Sequence, residues 1–179
     1  MAETLTTRRW SYRGLYVAVA LVTIGAALLP LGDGTSGVPG PELPVVVAFA
    51  WILRRPDYVP PLLLAAVVLL TDIVGLRPLG LWTALVVLGA EFLRSRESLI
   101  RDLPFVMEWL LASAVLVAIA FAYWLALSLF VVAHPGLGSL LLQALVSAAV
   151  YPVVVALSVL VFKLRKAAPG EVDALGHRL

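Results

Sequence analysis

Long apolar runs, separated by short segments rich in proline and glycine, organise this sequence. A helix that crosses a bilayer needs about 20 apolar residues, within a range of about 17–25. Six runs approach or reach that length, and their approximate bounds are 15–31, 41–53, 59–74, 79–93, 105–133 and 137–162. The runs lack the alternation of apolar and polar residues that marks a membrane barrel strand. The pattern therefore predicts six helices.

The boundaries between the runs fall at prolines. Breaks lie at residues 30–32, 55–56, 77–78 and 134–136. Proline lacks an N–H donor and disfavours helix at the residue before it. No internal repeat or linker divides the chain, so we expect one domain. It comprises an N-terminal flank at 1–14, a helical bundle at 15–163 and a C-terminal tail at 164–179.

Composition sets the class of protein. Hydrophobic residues make up 62% of the 179 positions and charged residues 13%, and the mean hydropathy is +1.03. A soluble domain is about half apolar and about a quarter charged, so a soluble fold is excluded, as is disorder. The absence of cysteine excludes disulfides and thiolate metal sites. We expect an all-α integral membrane protein, a compact bundle of about six transmembrane helices.

The basic residues predict the orientation of the bundle. If six helices cross in turn, 12 of the 13 lysines and arginines lie on one side and only Arg77 lies on the other. The positive-inside rule assigns the basic side to the cytoplasm, with both termini. The loops at 32–40, 75–78 and 135–138 are then outside. The second run rises only about 20 Å against a ~30 Å hydrocarbon core. If it were re-entrant, five arginines would move outside, so we expect it to cross.

Residues that carry catalysis or bind metals are sparse. The two histidines, His134 and His177, do not share a helix face with another metal ligand, and one histidine rarely makes a site. The serines in the last two runs have no histidine within a helical turn to activate them. We therefore expect that the protein is not an enzyme and has no cofactor and no nucleic-acid partner. We expect membrane lipid to surround it.

Three acids within or beside the runs call for partners, because charge is costly in lipid. Glu91 precedes Arg94 by three residues, a spacing that favours an ion pair. Glu108 lies in the first turn of the fifth helix, where the helix dipole favours an anion. Asp72 either caps a broken helix or organises an outer turn that binds a partner, with proton or ion transport as a third alternative. We expect its carboxylate to accept from the turn's N–H groups, with Arg77 in reach to pair with it.

Small residues recur at intervals of four along one face of the predicted fifth helix, at Ala114, Ala118, Ala122 and Ala126. Small side chains let another helix approach closely. Two interpretations stay open. The stripe packs within the bundle, with Ala144 and Ala148 of the sixth helix as the facing surface, or it receives a helix of a partner protein.

The segment LTDIVGLRPLGL at 70–81 resembles the most recognisable stretch of the bacterial rod shape-determining protein MreD family. Members carry an Asp near the end of a helix, then a short turn, then Pro-Leu-Gly leading into the next helix. The residues of this segment that form the expected turn or partner-binding site are Asp72, Gly75, Arg77, Pro78 and Gly80. The segments 51–60 and 91–94 are also similar to the proteobacterial branch. These motifs cover roughly residues 45–97, and the rest resembles the family in hydropathy only.

The resemblance implies a non-enzymatic component of the cell-elongation machinery, which directs side-wall peptidoglycan synthesis at the bacterial inner membrane. It implies the bitopic protein MreC as a partner and, through it, MreB, RodA and a penicillin-binding transpeptidase. The family's fold is similar to the substrate-binding S component of energy-coupling-factor vitamin transporters, so such a component is the alternative function. Those proteins often carry alanines four apart on the first helix. Here that helix offers only Gly14 and Ala18, which disfavours the alternative.

Overall fold

The computed structural model describes residues 2–28, 39–96, 104–130, 135–162 and 164, and these residues form an all-helical fold. The helices are α1 (Ala2–Leu28), α2 (Leu43–Ile52), α3 (Pro61–Val74), α4 (Leu81–Ser95), α5 (Phe105–Leu129) and α6 (Leu137–Leu160), with a 3₁₀ helix, Pro56–Tyr58, between α2 and α3. The predicted all-α class is confirmed for this part of the chain. Most of the predicted loop at 32–40, the end of the fifth run and nearly all of the tail at 164–179 lie outside the described residues.

Three of the helices are long and apolar enough to cross a membrane: Arg9–Leu28 within α1, Phe105–Leu129 and Leu137–Leu160. The other three are shorter, with 10, 14 and 15 residues in α2, α3 and α4. At 1.5 Å per residue they rise about 15, 21 and 22 Å, less than the ~30 Å hydrocarbon core. The structure thus shows an all-helical fold with three helices that could each cross a membrane, and the six crossings stay a prediction.

Proline and glycine set where the short helices begin. Prolines lie in the first turn of α2 and of α3, where the missing N–H would have had no helical partner. Gly80 is the N-cap of α4 and has a φ of 85°. A side chain is strained in that left-handed conformation, whereas glycine adopts it freely. The Pro-Leu-Gly sequence therefore allows the chain to re-enter a helix immediately after the turn.

Helix α2 lies at the centre of the bundle. It packs against α1, α3, α4 and α6, and all of its residues from Pro44 to Ile52 are buried. A helix that is apolar on every side needs apolar surroundings on every side. Here the neighbouring helices supply them, so the length of α2 need not match the thickness of a bilayer.

The outer helices form two antiparallel pairs around α2. α3 pairs with α4, α5 pairs with α6, and α4 packs against α5 to join the pairs. The two helices, α4 and α5, pack tightly at Gly89, where an added Cβ atom would lie 2.7 Å from Ile119 Cδ1 and 2.9 Å from Val115 Cγ1. Many large apolar side chains point outward from these helices, which fits lipid surroundings.

Candidate functional site

Asp72 organises the turn between α3 and α4. It is fully buried, and its Oδ2 accepts hydrogen bonds from the backbone N–H of Gly80 (3.1 Å), the backbone N–H of Thr83 (3.3 Å) and the hydroxyl of Thr83 (2.8 Å). The backbone carbonyl of Asp72 also accepts from the N–H of Arg77 at 3.0 Å. One residue therefore ties the end of α3 to the start of α4, through the acceptor role that the sequence predicted.

The sequence analysis suggested that Arg77 could pair with Asp72. In the structure, Arg77 pairs with Glu42 instead. Its Nη2 forms an ion pair with Glu42 Oε1, and its guanidinium lies 5.0 Å from the centre of the Trp82 ring. Asp72 Oδ2 is occupied by three donors of the turn, and Asp72 Oδ1 has no hydrogen-bond partner among the residues that the structure describes. The guanidinium of Arg77 instead reaches the largely buried carboxylate of Glu42, where a buried charge needs an opposite one. The turn is thereby fastened to the N-terminus of α2.

The same network reaches α6. The Nε2 of Gln143 donates to Glu42 Oε1 at 2.9 Å and to the carbonyl of Gly40 at 3.2 Å. The backbone N–H of Glu42 donates to Ser147 Oγ at 2.9 Å. Sequence reasoning did not place Glu42, Gln143 or Ser147 at this site. The available signal was that Gln143 and Ser147 lie one turn apart in an otherwise apolar run.

A second buried network lies at the opposite end of α2. Arg54 Nη1 contacts Glu108 Oε1 at 2.6 Å, and the side chains of Arg54 and Glu108 are only 5% and 0% exposed. The hydroxyl of Tyr151 donates to the same oxygen at 2.8 Å, and Arg54 Nη1 also donates to the carbonyl of Ala50 at 3.0 Å. Glu108 does lie in the first turn of α5, as predicted. It forms a buried ion pair with Arg54, one of the twelve basic residues that the sequence analysis assigned to a single side of the membrane.

Charges at the two ends of α2 match its dipole. Glu42 is the N-cap residue, and Arg54 follows the last turn and binds one of its carbonyls. An acid near a helix N-terminus and a base near its C-terminus are each stabilising. The central apolar helix is thus held between a partly buried ion pair, Glu42–Arg77, and a fully buried one, Arg54–Glu108.

The basic end of the bundle has further ion pairs. Glu91 and Arg94 pair at 3.0 Å, which confirms the prediction from their spacing. Arg94 also donates to the carbonyls of Pro56 (2.9 Å) and Val59 (2.7 Å). These bonds fix the end of α4 to the connection between α2 and α3, so that α3 begins and α4 ends at the same level.

The alanine stripe faces outward. Ala114 and Ala118 are exposed, and Ala122 and Ala126 are partly exposed. Three of the four line an apolar groove of about 480 Å³ between α4 and α5, together with Gly89. The suggested facing surface on α6 is wrong, because Ala144 and Ala148 are buried and Ala144 lies with Leu116 and Ala120 on a different side of α5. A helix that is apolar all round gives no sequence signal of which face points inward.

A cavity of about 520 Å³ adjoins the Asp72 turn. It lies between the ends of α1, α2 and α3 and one residue of α6, and its polar lining includes Thr23, Glu42, Thr71, Arg77 and Gln143. Its size lies within the range of small-molecule pockets, about 300–1,000 Å³. The predicted turn residues and this cavity therefore share one end of the bundle.

Compared with protein-family models, with curated proteins and with solved structures, the chain matches none of them. Its function must therefore be inferred from its own residues and from the resemblance in residues 45–97.

Proposed function

We propose that this chain is a non-enzymatic component of the rod-shape machinery of the bacterial inner membrane. In this role it binds an MreC-like bitopic protein and, through it, acts with MreB, RodA and a penicillin-binding transpeptidase in side-wall peptidoglycan synthesis. The observation that carries the proposal is the geometry of the turn. The MreD-like segment 70–81 supplies Asp72 as the acceptor and Gly80 as the left-handed N-cap, and Thr83, just beyond it, supplies two of the donors.

The proposed role of Asp72 is to hold the shape of a docking surface for an extracytoplasmic segment of the partner. All three hydrogen bonds to its Oδ2 come from groups of the turn and the first turn of α4, so the carboxylate acts as a fixed acceptor. This arrangement favours a structural role over the movement of a proton.

The proposed topology has six crossings and cytoplasmic termini. It is supported by the separation of charge along the bundle. Arg9 pairs with Asp57 at 2.9 Å near the start of α3, and Arg94 binds the same connection. Arg77 is at the other end of α3, beside the outer turn. The short helices then cross with local thinning of the bilayer or with one end below its surface.

The test is complementation of cell shape in a rod-shaped bacterium that lacks its own MreD, with co-purification of the bitopic partner. Asp72→Asn keeps one acceptor oxygen and the shape of the side chain, so we expect partial loss of partner capture and of rod shape. Asp72→Leu leaves three donors without their acceptor and should do worse. Asp57→Asn, at an exposed acid on the basic end, is the matched control and should behave as wild type.

Two results would contradict this role. If Asp72→Leu matched wild type in both assays, the turn would not be a docking surface. If Asp72→Asn abolished function while the partner still co-purified, an ion-coupled role would be the better explanation.

The second candidate function is the S component of a small-molecule transporter. The cavity of about 520 Å³ beside Glu42, Arg77 and Gln143 favours it, because a pocket of this size with a few convergent polar groups suits a small ligand. Purification from native membranes separates the two candidates. A bitopic coiled-coil protein in the complex supports the rod-shape role, whereas a pair of ATPase subunits supports transport.

A further inference from the structure

We propose that the turn between α3 and α4 lies inside the hydrocarbon of the outer leaflet, and that its tip contacts lipid acyl chains instead of water. The proposal requires the membrane topology argued above but not the rod-shape role. The two can therefore fail separately.

Three estimates of depth place the turn below the outer end of the bundle. The first comes from α3 itself, whose 14 residues rise about 21 Å from the basic end and stop about 9 Å short of the far side of a ~30 Å core. The second comes from Gln143, which binds Glu42, the partner of Arg77. Gln143 is six residues inside the start of α6 at Leu137, a depth of about 9 Å.

The third estimate of depth comes from a contact between α4 and α5. Trp82, in the first turn of α4, packs edge-to-face on Tyr123 with 5.3 Å between ring centres. Tyr123 is six residues before the end of α5 at Leu129, which again corresponds to about 9 Å. α5 and α6 therefore extend about 9 Å beyond the level at which Tyr123 contacts Trp82 and Gln143 contacts Glu42, next to the α3–α4 turn.

The membrane boundary follows the long helices and not the turn. At the outer end of α5, Leu129 and Phe130 are 76% and 74% exposed. If the boundary lay at the level of the turn, these side chains and the last turn of α5 would be in water. Exposed apolar area costs about 25 cal/mol per Å² in water, so the bundle is better accommodated when lipid reaches the end of α5.

The turn itself has the surface of a lipid-facing element. Its two charged side chains are folded inward, with Asp72 fully buried and Arg77 held between Glu42 and the Trp82 ring. The side chains at its tip are apolar, and Leu76 and Leu79 are 93% and 70% exposed. A turn that faces water usually presents polar side chains. In this turn the leucines are exposed, and the charged side chains point toward the protein.

Most backbone N–H groups of the turn are paired inside the protein. Irregular backbone is excluded from lipid because its unpaired polar groups are costly there. Between Gly75 and Ala84, seven of the nine backbone N–H groups donate to acceptors inside the protein, two of them to Asp72 Oδ2. Pro78 has no N–H to satisfy. Asp72 therefore accepts hydrogen bonds from two backbone N–H groups that water would bind in an ordinary surface loop.

The experiment measures depth in the full chain, which has no cysteine of its own. Single variants Leu76→Cys and Leu79→Cys, both at exposed positions, are labelled with a nitroxide or an environment-sensitive fluorophore. The protein is reconstituted in vesicles of phosphatidylethanolamine and phosphatidylglycerol. Leu88→Cys, outward-facing in the middle of α4, and Gly136→Cys, at the outer start of α6, are the deep and shallow controls.

We expect the labels at 76 and 79 to lie about 9 Å below the label at 136, as the six-residue estimates of depth require, and above the label at 88. A membrane-impermeant maleimide should react with Gly136→Cys in whole cells and leave both turn variants unlabelled. Equal depth and equal labelling at 76, 79 and 136 would overturn the proposal and place the turn in water. The two turn positions check each other, since immersion requires both to be protected.

Discussion

The buried ion pair between Arg54 and Glu108 yields a prediction whose size follows from its geometry. The two side chains meet at 2.6 Å and are 5% and 0% exposed. For two unit charges about 4 Å apart at an effective dielectric constant of about 20, the attraction is about 4 kcal/mol. Glu108→Gln removes one charge, leaves the guanidinium of Arg54 buried without compensation, and should destabilise the protein by about 3–5 kcal/mol. Arg54→Gln should lower the stability by about as much, because it removes the guanidinium from a fully buried carboxylate, that of Glu108.

The double variant Arg54→Gln/Glu108→Gln separates the charge pair from the rest of the site. With neither charge present, most of the loss should be recovered, since replacing a buried pair by uncharged residues is often close to neutral. The assay is denaturant unfolding in detergent micelles, followed by tryptophan fluorescence. Glu91→Gln breaks the more exposed pair with Arg94 and should cost no more than about 1 kcal/mol. If both single variants, Arg54→Gln and Glu108→Gln, also lost no more than about 1 kcal/mol, the pair would not contribute to stability. If the losses of the single variants added up in the double variant, the two charges would not be coupled.

Three further predictions concern packing and topology. Gly89→Ala places a Cβ atom 2.7 Å from Ile119 Cδ1 and should lower stability by about 1–3 kcal/mol, a loss that Ile119→Val should reduce in the same unfolding assay. Ala118→Leu fills an exposed groove and should leave thermal stability unchanged while it lowers co-purification of the partner. A fall in stability without a change in partner capture would show that the stripe does not bind the partner. Gly136→Cys should react with an impermeant maleimide in intact cells, whereas labelling of Ser98→Cys would refute cytoplasmic placement of that connection.

Local features of the fold were predictable from the sequence because they depend on neighbouring residues. Apolar runs bounded by proline predicted the order of the helices, and these runs need no knowledge of tertiary contacts. The Asp72 turn was predictable for a similar reason, since the carboxylate and the N–H groups of Gly80 and Thr83 are at most 11 residues apart. The Glu91–Arg94 pair needs only one helical turn.

Long-range charge pairing was not predictable in the same way. Glu42 and Arg77 are 35 residues apart, and Arg54 and Glu108 are 54 apart. Each pair is decided by which helix ends meet, and an apolar helix carries little information about its neighbours because all its faces look alike. The burial of α2 was missed for the same reason. Its short length raised the alternative of a re-entrant segment, and the charges favoured a crossing, but nothing in the sequence indicated that neighbouring helices bury residues 44–52.

The two ion pairs at the ends of α2 also explain why the outer turn keeps a fixed depth. Glu42 and Arg54 are 12 residues apart, or about 18 Å along the chain if it is helical throughout. Glu42 binds a side chain of the α3–α4 turn, and Arg54 binds a side chain of α5. A slip of α2 by one residue, about 1.5 Å, would stretch at least one pair in an environment that penalises separated charge. Since Arg77 is fastened to Glu42, and Glu42 is fastened to Gln143 of α6, the turn cannot move outward without breaking this network. A partner segment that docks on Leu76 or Leu79 must therefore enter the membrane to reach them.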